Sequence, residues 1–307
     1  MARRYDIVVA GGGLAGLSAA LTAGRRGRSV LVASGGVPGG LLLNIERIEG
    51  LPGFPDGVAG YELCPAAQEQ AEAAGAELTM VGLEGLAPAQ GGWSLRTEEG
   101  EVEARAVIVA TGARFRRLGV PGEERLTGHG VSTCASCDGP LLGGRVAAVV
   151  GGGDSALQEA LTLAEAGARV LIMHRGERLE AQASYIRRVE AHPGIEIRPT
   201  TVVEEIVGGD RVEGVRVRNL AEGEPSELEV AAVFPFIGLE PNATFLEGVA
   251  ELDRDGRVCV DGAQQTSCPG LFAAGIVRSG ATARAVAVAG DGAAAALAAD
   301  RYLERAP

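Results

Sequence analysis

Two glycine-rich turns, far apart in the chain, each sit between an apolar run and a helical pattern. The first is Gly11-Gly12-Gly13-Leu14-Ala15-Gly16. It follows the apolar stretch Tyr5 to Ala10, opens a helical pattern over Leu14 to Arg25, and is followed by a short buried strand, Ser29 to Ala33. The second is Gly151-Gly152-Gly153-Asp154-Ser155-Ala156, with Arg145 to Val150 before it, a helix over Ser155 to Ala166, and a strand over Ala168 to Met173. Both read strand, turn, helix, strand, which is the βαβ unit of a dinucleotide fold. In the first turn Gly11 permits the tight bend, Gly13 lets the backbone approach a pyrophosphate, and Gly16 allows close helix–strand packing. Free N–H groups at the start of that helix then face a diphosphate.

A chain of 307 residues is long enough for two domains. The expected fold class is α/β, with two Rossmann-like nucleotide-binding domains in three ββα layers, the second inserted in the first. Residues 1–113 and 243–307 form one domain, and residues 114–242 form the insert. Between the fingerprints, Pro55 to Gly75 reads as helical, and Trp93 to Val109 as antiparallel strands ending at Ala110-Thr111-Gly112. Ile195 to Phe236 alternates like a small antiparallel meander turning at Gly208-Gly209, and the chain ends in Gly270-Leu271-Phe272-Ala273-Ala274-Gly275 and a long helix. Leu179 to Arg188 reads as a loop carrying Arg187 and Arg188, and His129 and His192 fall in loops.

With 28 basic against 40 acidic residues the net charge is −12, which serves solubility and argues against binding nucleic acid or an anionic membrane. Only 4% of residues are aromatic, so the chain offers no stacking platform for bases. Arg3 and Arg4 before an apolar stretch imitate a signal peptide, but Asp6 interrupts the run. Arg284, Asp291 and Asp300 likewise break the Ala-rich stretch from Ala281 to Leu303 as a membrane span. The expected location is cytoplasmic.

Just before the second fingerprint stands Cys134-Ala135-Ser136-Cys137-Asp138-Gly139. In a cytosolic protein an isolated C-x-x-C pair is redox-active or metal-binding rather than part of a disulfide framework. A structural zinc site needs four ligands. Cys64, Cys259 and Cys268 are scattered and only three histidines exist, so no metal is expected. A dithiol beside a nucleotide-binding turn, with a second such turn at the N-terminus, reads as a relay of two-electron equivalents from a flavin to a disulfide. The acidic residue expected about 20 positions after the first fingerprint is missing. Ser34 ends that strand and offers one hydrogen bond to a ribose.

The ordered set G-G-G-L-A-G, A-T-G-A, C-A-S-C-D-G, G-G-G-D-S-A, H-R, F-x-x-I-G-x-x-P-N and G-L-F-A-A-G resembles the low-molecular-weight thioredoxin reductases over essentially the whole chain. That resemblance implies an FAD domain, an inserted pyridine-nucleotide domain bearing the cysteine pair, a homodimer, and a thioredoxin-like partner. It implies that the insert swings to present either the nicotinamide or the disulfide to the flavin. Cys137 would take electrons from the flavin, Cys134 would attack the partner's disulfide, and Asp138 would protonate the leaving thiolate. Exchange runs through a thiolate, so an adjacent acid that shuttles a proton suits it. For FAD the resemblance implies Gly11, Gly13, Leu14, Ala15 and Gly16 with Ser34, then Gly39, Gly40, Leu41 and Asn44. Thr111, Gly112, Gly275, Arg284 and Ala285 complete that set. For NADP or NAD it implies Gly151, Gly153, Asp154 and Ser155, with His174 and Arg175.

The chain departs from this pattern in three places. Arg175 matches an expected phosphate-binding arginine, but Gly176 and Glu180 replace others, which leaves NADPH, NADH and a non-nicotinamide donor open; Arg178 is a neighbouring candidate. Ile276 stands where an aspartate would bind the flavin's ribityl chain. Leu41 and Gly50 replace polar residues, and Arg284 takes the place of a glutamine near the flavin ring. Ferredoxin-dependent reduction, an oxygen-coupled dithiol oxidase and a redox-silent binding protein are the competing readings.

Overall fold

The computed structural model describes residues 3–305, so the first two and last two residues of the expected domain limits lie outside it. The chain starts with β1 (Arg3–Ala10), α1 (Leu14–Arg25) and β2 (Val30–Ala33), then α2 (Gly60–Ala73) and β3 (Ala76–Thr79). Three antiparallel strands follow: β4 (Leu83–Ala89), β5 (Gly92–Thr97) and β6 (Gly100–Val109). Strand β7 (Ala113–Phe115) leads out of this unit into α3 (Glu123–Leu126) and α4 (Ala135–Asp138). The second fingerprint lies between β8 (Val146–Val150) and α5 (Asp154–Glu165), before β9 (Arg169–Met173), α6 (Ala183–Ala191) and β10 (Ile195–Arg198). A meander of β11 (Thr201–Val207), β12 (Gly214–Asn219) and β13 (Pro225–Glu229) precedes β14 (Ala232–Pro235). Strand β15 (Leu239–Pro241) pairs with β7 on the way back, and β16 (Leu271–Ala273) and α7 (Ala285–Arg305) finish the first unit.

Two compact units result, one from residues up to Arg114 and from Glu240 onward, the other from Phe115 to Leu239. In the first, the sheet runs β3-β2-β1-β6-β5-β4, with β16 also on β6. The second half of β1, Ile7 to Ala10, is buried on both faces, which explains its apolar run. Ile7 and Val9 pack on the helical side with Ala19 and Ala23, while Val8 faces the other way, toward Trp93 and Leu95. The small residues of α1 let α7 lie close: a Cβ on Gly292 would fall 2.0 Å from the Ala15 carbonyl oxygen. Asp300 of α7, almost fully buried, is held by Arg26 at 2.7 Å and Arg28 at 2.6 Å.

The second unit repeats the scheme with a parallel sheet ordered β10-β9-β8-β14. One face (Ala147, Val149, Ile172, Phe234) packs on α5 and α6, and the other (Ala148, Val150, Met173, Val233) packs on the meander. Both units are Rossmann-like α/β folds.

Three expected elements shift. The helix expected over Pro55 to Gly75 begins only at Gly60, because Gly57 adopts φ +79° and the preceding residues form turns. The meander expected over Ile195 to Phe236 is shorter, since its first and last strands, β10 and β14, are parallel members of the central sheet. Their alternation looks antiparallel in sequence, yet pairing with β9 and β8 buries them differently. Arg187 and Arg188 sit on helix α6 rather than in a loop, with Arg188 3.7 Å from Glu165 and over the Tyr185 ring.

Candidate active site

Cys134 and Cys137 are joined by a disulfide, with their Cα atoms 5.3 Å apart. Cys134 caps α4, its sulfur accepting from the Cys137 N–H at 3.3 Å. The turn is tied to β14 through Ser132, whose Oγ accepts from the Cys134 N–H and whose own N–H donates to the Val233 carbonyl. Gly139 lets it lie flat on α5, since a Cβ there would come within 3.2 Å of Ala166. Cys134 is buried and Cys137 is exposed. Asp138 follows at the end of α4, half-buried.

Beneath this turn lies a group that sequence reading missed. Glu159 of α5 is 7% exposed and accepts the Ala135 N–H at 3.3 Å through Oε2. Burial pushes its carboxyl up to about 7, against the opposing pull of that N–H. The other buried acids are well partnered: Asp300 by two arginines, and Glu123 by the N–H groups of Leu118 and Gly119. The one signal in the sequence was a charged residue on the apolar stripe of α5.

A cleft of about 490 Å³ opens at the carboxyl ends of the second unit's parallel strands. The Gly151–Gly153 turn forms its floor, with Ser155, His174 and Arg175 on its lining. A Cβ on Gly151 would lie 2.2 Å from the Phe236 carbonyl oxygen, so only glycine permits this turn. Asp154 does not line the cleft; its carboxylate accepts the Gln182 N–H at 2.7 Å and so fastens the loop after β9. His174 is buried, donating from Nε2 to the Arg178 carbonyl at 2.8 Å. Arg178 itself is exposed and off the cleft lining.

In the first unit, Gly11 (φ +112°) makes the tight turn, and a Cβ on Gly16 would sit 1.9 Å from the Gly11 carbonyl oxygen. Gly13 differs from both: its Cβ would meet nothing within 4 Å. The first intrahelical bond of α1 runs from the Leu17 N–H to the Gly13 carbonyl, which leaves the Leu14, Ala15 and Gly16 N–H groups directed out of the helix start. Gly39 bonds back to Gly12 and bridges Gly13, so that Gly40, Leu41 and Asn44 follow on a short 3₁₀ turn beside the fingerprint. Such a cradle, open in front of Gly13 and closed behind it, fits a bound pyrophosphate.

Ser34 donates its hydroxyl to the main chain, with Gly36 and Thr79 carbonyls within reach, so only its lone pairs remain for a ribose. Thr111 and Asn242 exchange hydrogen bonds, Oγ1 to carbonyl at 2.6 Å and Nδ2 to carbonyl at 3.0 Å, which fixes the Thr111-Gly112 turn at the end of β6. Gly275 (φ +76°) packs against Ala15. Ile276 is half-buried and packs against the core cluster, while Asp291 of α7 accepts the Gly275 N–H at 3.2 Å and both arms of Arg278 at 2.7 and 2.8 Å. The Arg284 carbonyl accepts the first helical bond of α7, whose first residue, Ala285, is buried.

Cys64 is buried, and burial pushes its thiol up to about 11, while Cys259 and Cys268 are half-buried. Among the described residues no group of three or more His, Cys, Asp or Glu side chains could hold a metal ion, and no helix is long and apolar enough to cross a membrane.

The family model for pyridine nucleotide-disulphide oxidoreductases matches residues 5–293. A thioredoxin reductase of Mycolicibacterium smegmatis is 39% identical over 97% of this chain and 96% of its own. NADPH-dependent thioredoxin reductase 3 of Arabidopsis thaliana is 40% identical over 97% of this chain, which spans 58% of that protein's length. The crystal structure of Lactococcus lactis thioredoxin reductase matches with a TM-score of 0.95 and 36% identity, covering 98% of this chain and 99% of that one.

Proposed function

This chain belongs to the pyridine nucleotide-disulphide oxidoreductase family, and on that premise we propose that it is a flavin-dependent thioredoxin reductase. It passes electrons from a reduced nicotinamide nucleotide through FAD and the Cys134–Cys137 pair to the disulfide of a thioredoxin-like protein. The observation that carries this reading is the Cys134–Cys137 disulfide, seated on α4 against α5, the helix that the second glycine turn opens.

FAD, when bound, supplies the two-electron redox chemistry that links nucleotide to disulfide. The Leu14, Ala15 and Gly16 N–H groups would hold its pyrophosphate, and Gly11 and Gly16 keep the turn tight. Ser34 would accept from a ribose hydroxyl, and Gly39, Gly40, Leu41, Asn44, Thr111, Gly112, Gly275, Arg284 and Ala285 would complete the FAD site. In the second unit Gly151, Gly153 and Ser155 hold the nicotinamide nucleotide's phosphates, Asp154 and His174 shape the loop around it, and Arg175 supplies positive charge.

We assign exchange to Cys137, and its exposure supports that assignment. In the reduced protein its thiolate bonds to one sulfur of the partner's disulfide, and the partner's sulfur–sulfur bond breaks. Asp138 gives a proton to the departing thiolate. Cys134 then attacks Cys137, restoring the internal disulfide and releasing the second partner thiol. The protein works as a homodimer in the cytoplasm, a reading supported by its resemblance to the bacterial enzymes and by a redox pair that must be re-reduced.

The test is anaerobic: FAD-loaded protein is mixed with reduced nicotinamide nucleotide and then with thioredoxin disulfide. Flavin bleaching followed by new thioredoxin thiols, both steps in wild type and only bleaching in Cys137→Ser, is expected. Thioredoxin reduction that persists in Cys137→Ser would overturn the assignment.

A further inference from the structure

The cleft of the second unit is divided by its own topology. Strand β8 delivers the Gly151–Gly153 turn to the middle, β9 delivers His174 and Arg175 to one side, and β14 delivers Phe236 and Ile237 to the other. In a βαβ nucleotide site the strand after the first helix carries the groups that meet the adenosine ribose. The β9 side is therefore the ribose side. Arg116, held to the Gly238 carbonyl at 3.0 Å, belongs to the β14 side.

On the ribose side the charged groups lining the cleft are one arginine, Arg175, and one acid, Glu180. Glu180 is not a chance surface residue. Its N–H donates to the Gly152 carbonyl at 2.8 Å and its backbone bridges Gly153, so its Cα is locked one strand spacing from the phosphate turn. The loop that carries it is fastened a second time where Gln182 donates to Asp154. The position two residues after His174 is closed to a further cation, because a Cβ on Gly176 would approach His174 Nε2 to 2.7 Å. That ring is itself fixed against Gly152 and bonded to the Arg178 carbonyl.

A carboxylate accepts hydrogen bonds from vicinal ribose hydroxyls and repels a phosphate placed on one of them. We propose that this cleft takes NADH and turns away NADPH, with Glu180 as the residue that reads the free 2′-hydroxyl of the adenosine ribose. The inference rests on the nucleotide role assigned to this cleft and narrows it to one of two donors. A doubly charged phosphate within about 6 Å of a carboxylate, even in water, loses about tenfold in affinity, before the lost hydroxyl bonds are counted.

The test is calorimetric binding of 5′-ADP and of 2′,5′-ADP to the FAD-loaded protein, wild type, Glu180→Gln and Glu180→Arg. Wild type is expected to bind 5′-ADP at least about tenfold more tightly, E180Q to narrow that margin, and E180R to invert it, a swing of roughly a hundredfold. Anaerobic flavin reduction by NADH and by NADPH should follow the same order. Tighter binding of 2′,5′-ADP by wild type, or an unchanged preference in E180R, would overturn the proposal while leaving the cleft a nucleotide site. Binding of neither probe would remove the nucleotide role of the cleft, and the proposal with it.

Discussion

Glu159 Oε2 accepts the main-chain N–H of Ala135 at 3.3 Å, so a buried carboxyl sits directly under the turn that carries the disulfide. Among the described residues no cation offsets its charge, and burial pushes it up to about 7. An acid raised in the folded state contributes most below its unfolded value near 4.5 and loses that contribution as pH climbs to about 7. Above that window the folded protein carries an uncompensated charge costing about 3 kcal/mol. Glu159→Gln keeps an oxygen for the Ala135 N–H and removes the charge. Urea midpoints should show E159Q more stable than wild type at pH 8 and the gap closing toward pH 5. A gap independent of pH would sink this account.

Gly13 and Gly16 belong to one fingerprint and should fail differently. Gly13 has ordinary extended backbone, φ −71°, and open space where a Cβ would go. Gly13→Ala is expected to fold with near wild-type thermal stability in the apo form, yet lose FAD affinity about tenfold or more, because the methyl occupies the pyrophosphate's approach. Gly16→Ala drives a Cβ to 1.9 Å from the Gly11 carbonyl oxygen and should cost about 3 kcal/mol or more with or without FAD. Flavin fluorescence titration and apo-protein melting separate the two.

Both glycine turns were legible because they impose local rules: a strand, a bend only glycine can make, and a helix start. The cysteine pair was legible for the same reason, being contiguous. Strand β10 was not, since Ile195 to Arg198 alternates whether its neighbour is parallel or antiparallel, and only its pairing with β9 decides. Glu159 escaped notice because its meaning lies in what covers it, and Ala135 is distant in sequence. Ile276 stands where a ligand is expected, and nothing local in the sequence shows that Asp291, nearly two turns into α7, reaches back to Gly275.

That reach has a measurable consequence. Asp291 holds both arms of Arg278, whose side chain is only 18% exposed, and the Gly275 N–H as well. Asp291→Ala leaves a half-buried guanidinium without its partner and should cost about 3 kcal/mol in denaturant unfolding. The companion Arg278→Met, Asp291→Leu double substitution should recover much of that loss, since it removes both charges together. Equal losses in the single and double variants would show that the ion pair is not what binds this turn to α7.

The two sulfurs of the redox turn differ in access, and single serine substitutions should report it. Cys137 is exposed, and Cys134 is buried, its N–H donating to Ser132 Oγ and its sulfur 3.5 Å from Ser136 Oγ. In Cys134→Ser the remaining thiol stands at the surface and, with no neighbour to resolve it, should accumulate a stable mixed disulfide with oxidised thioredoxin. In Cys137→Ser the remaining thiol is shielded, and the same incubation should give at least about tenfold less adduct. Intact-protein mass spectrometry after quenching in acid reads both directly. Equal adduct yields would mean that burial does not govern exchange at this turn, and more adduct from Cys137→Ser would assign the attack on thioredoxin to Cys134 instead.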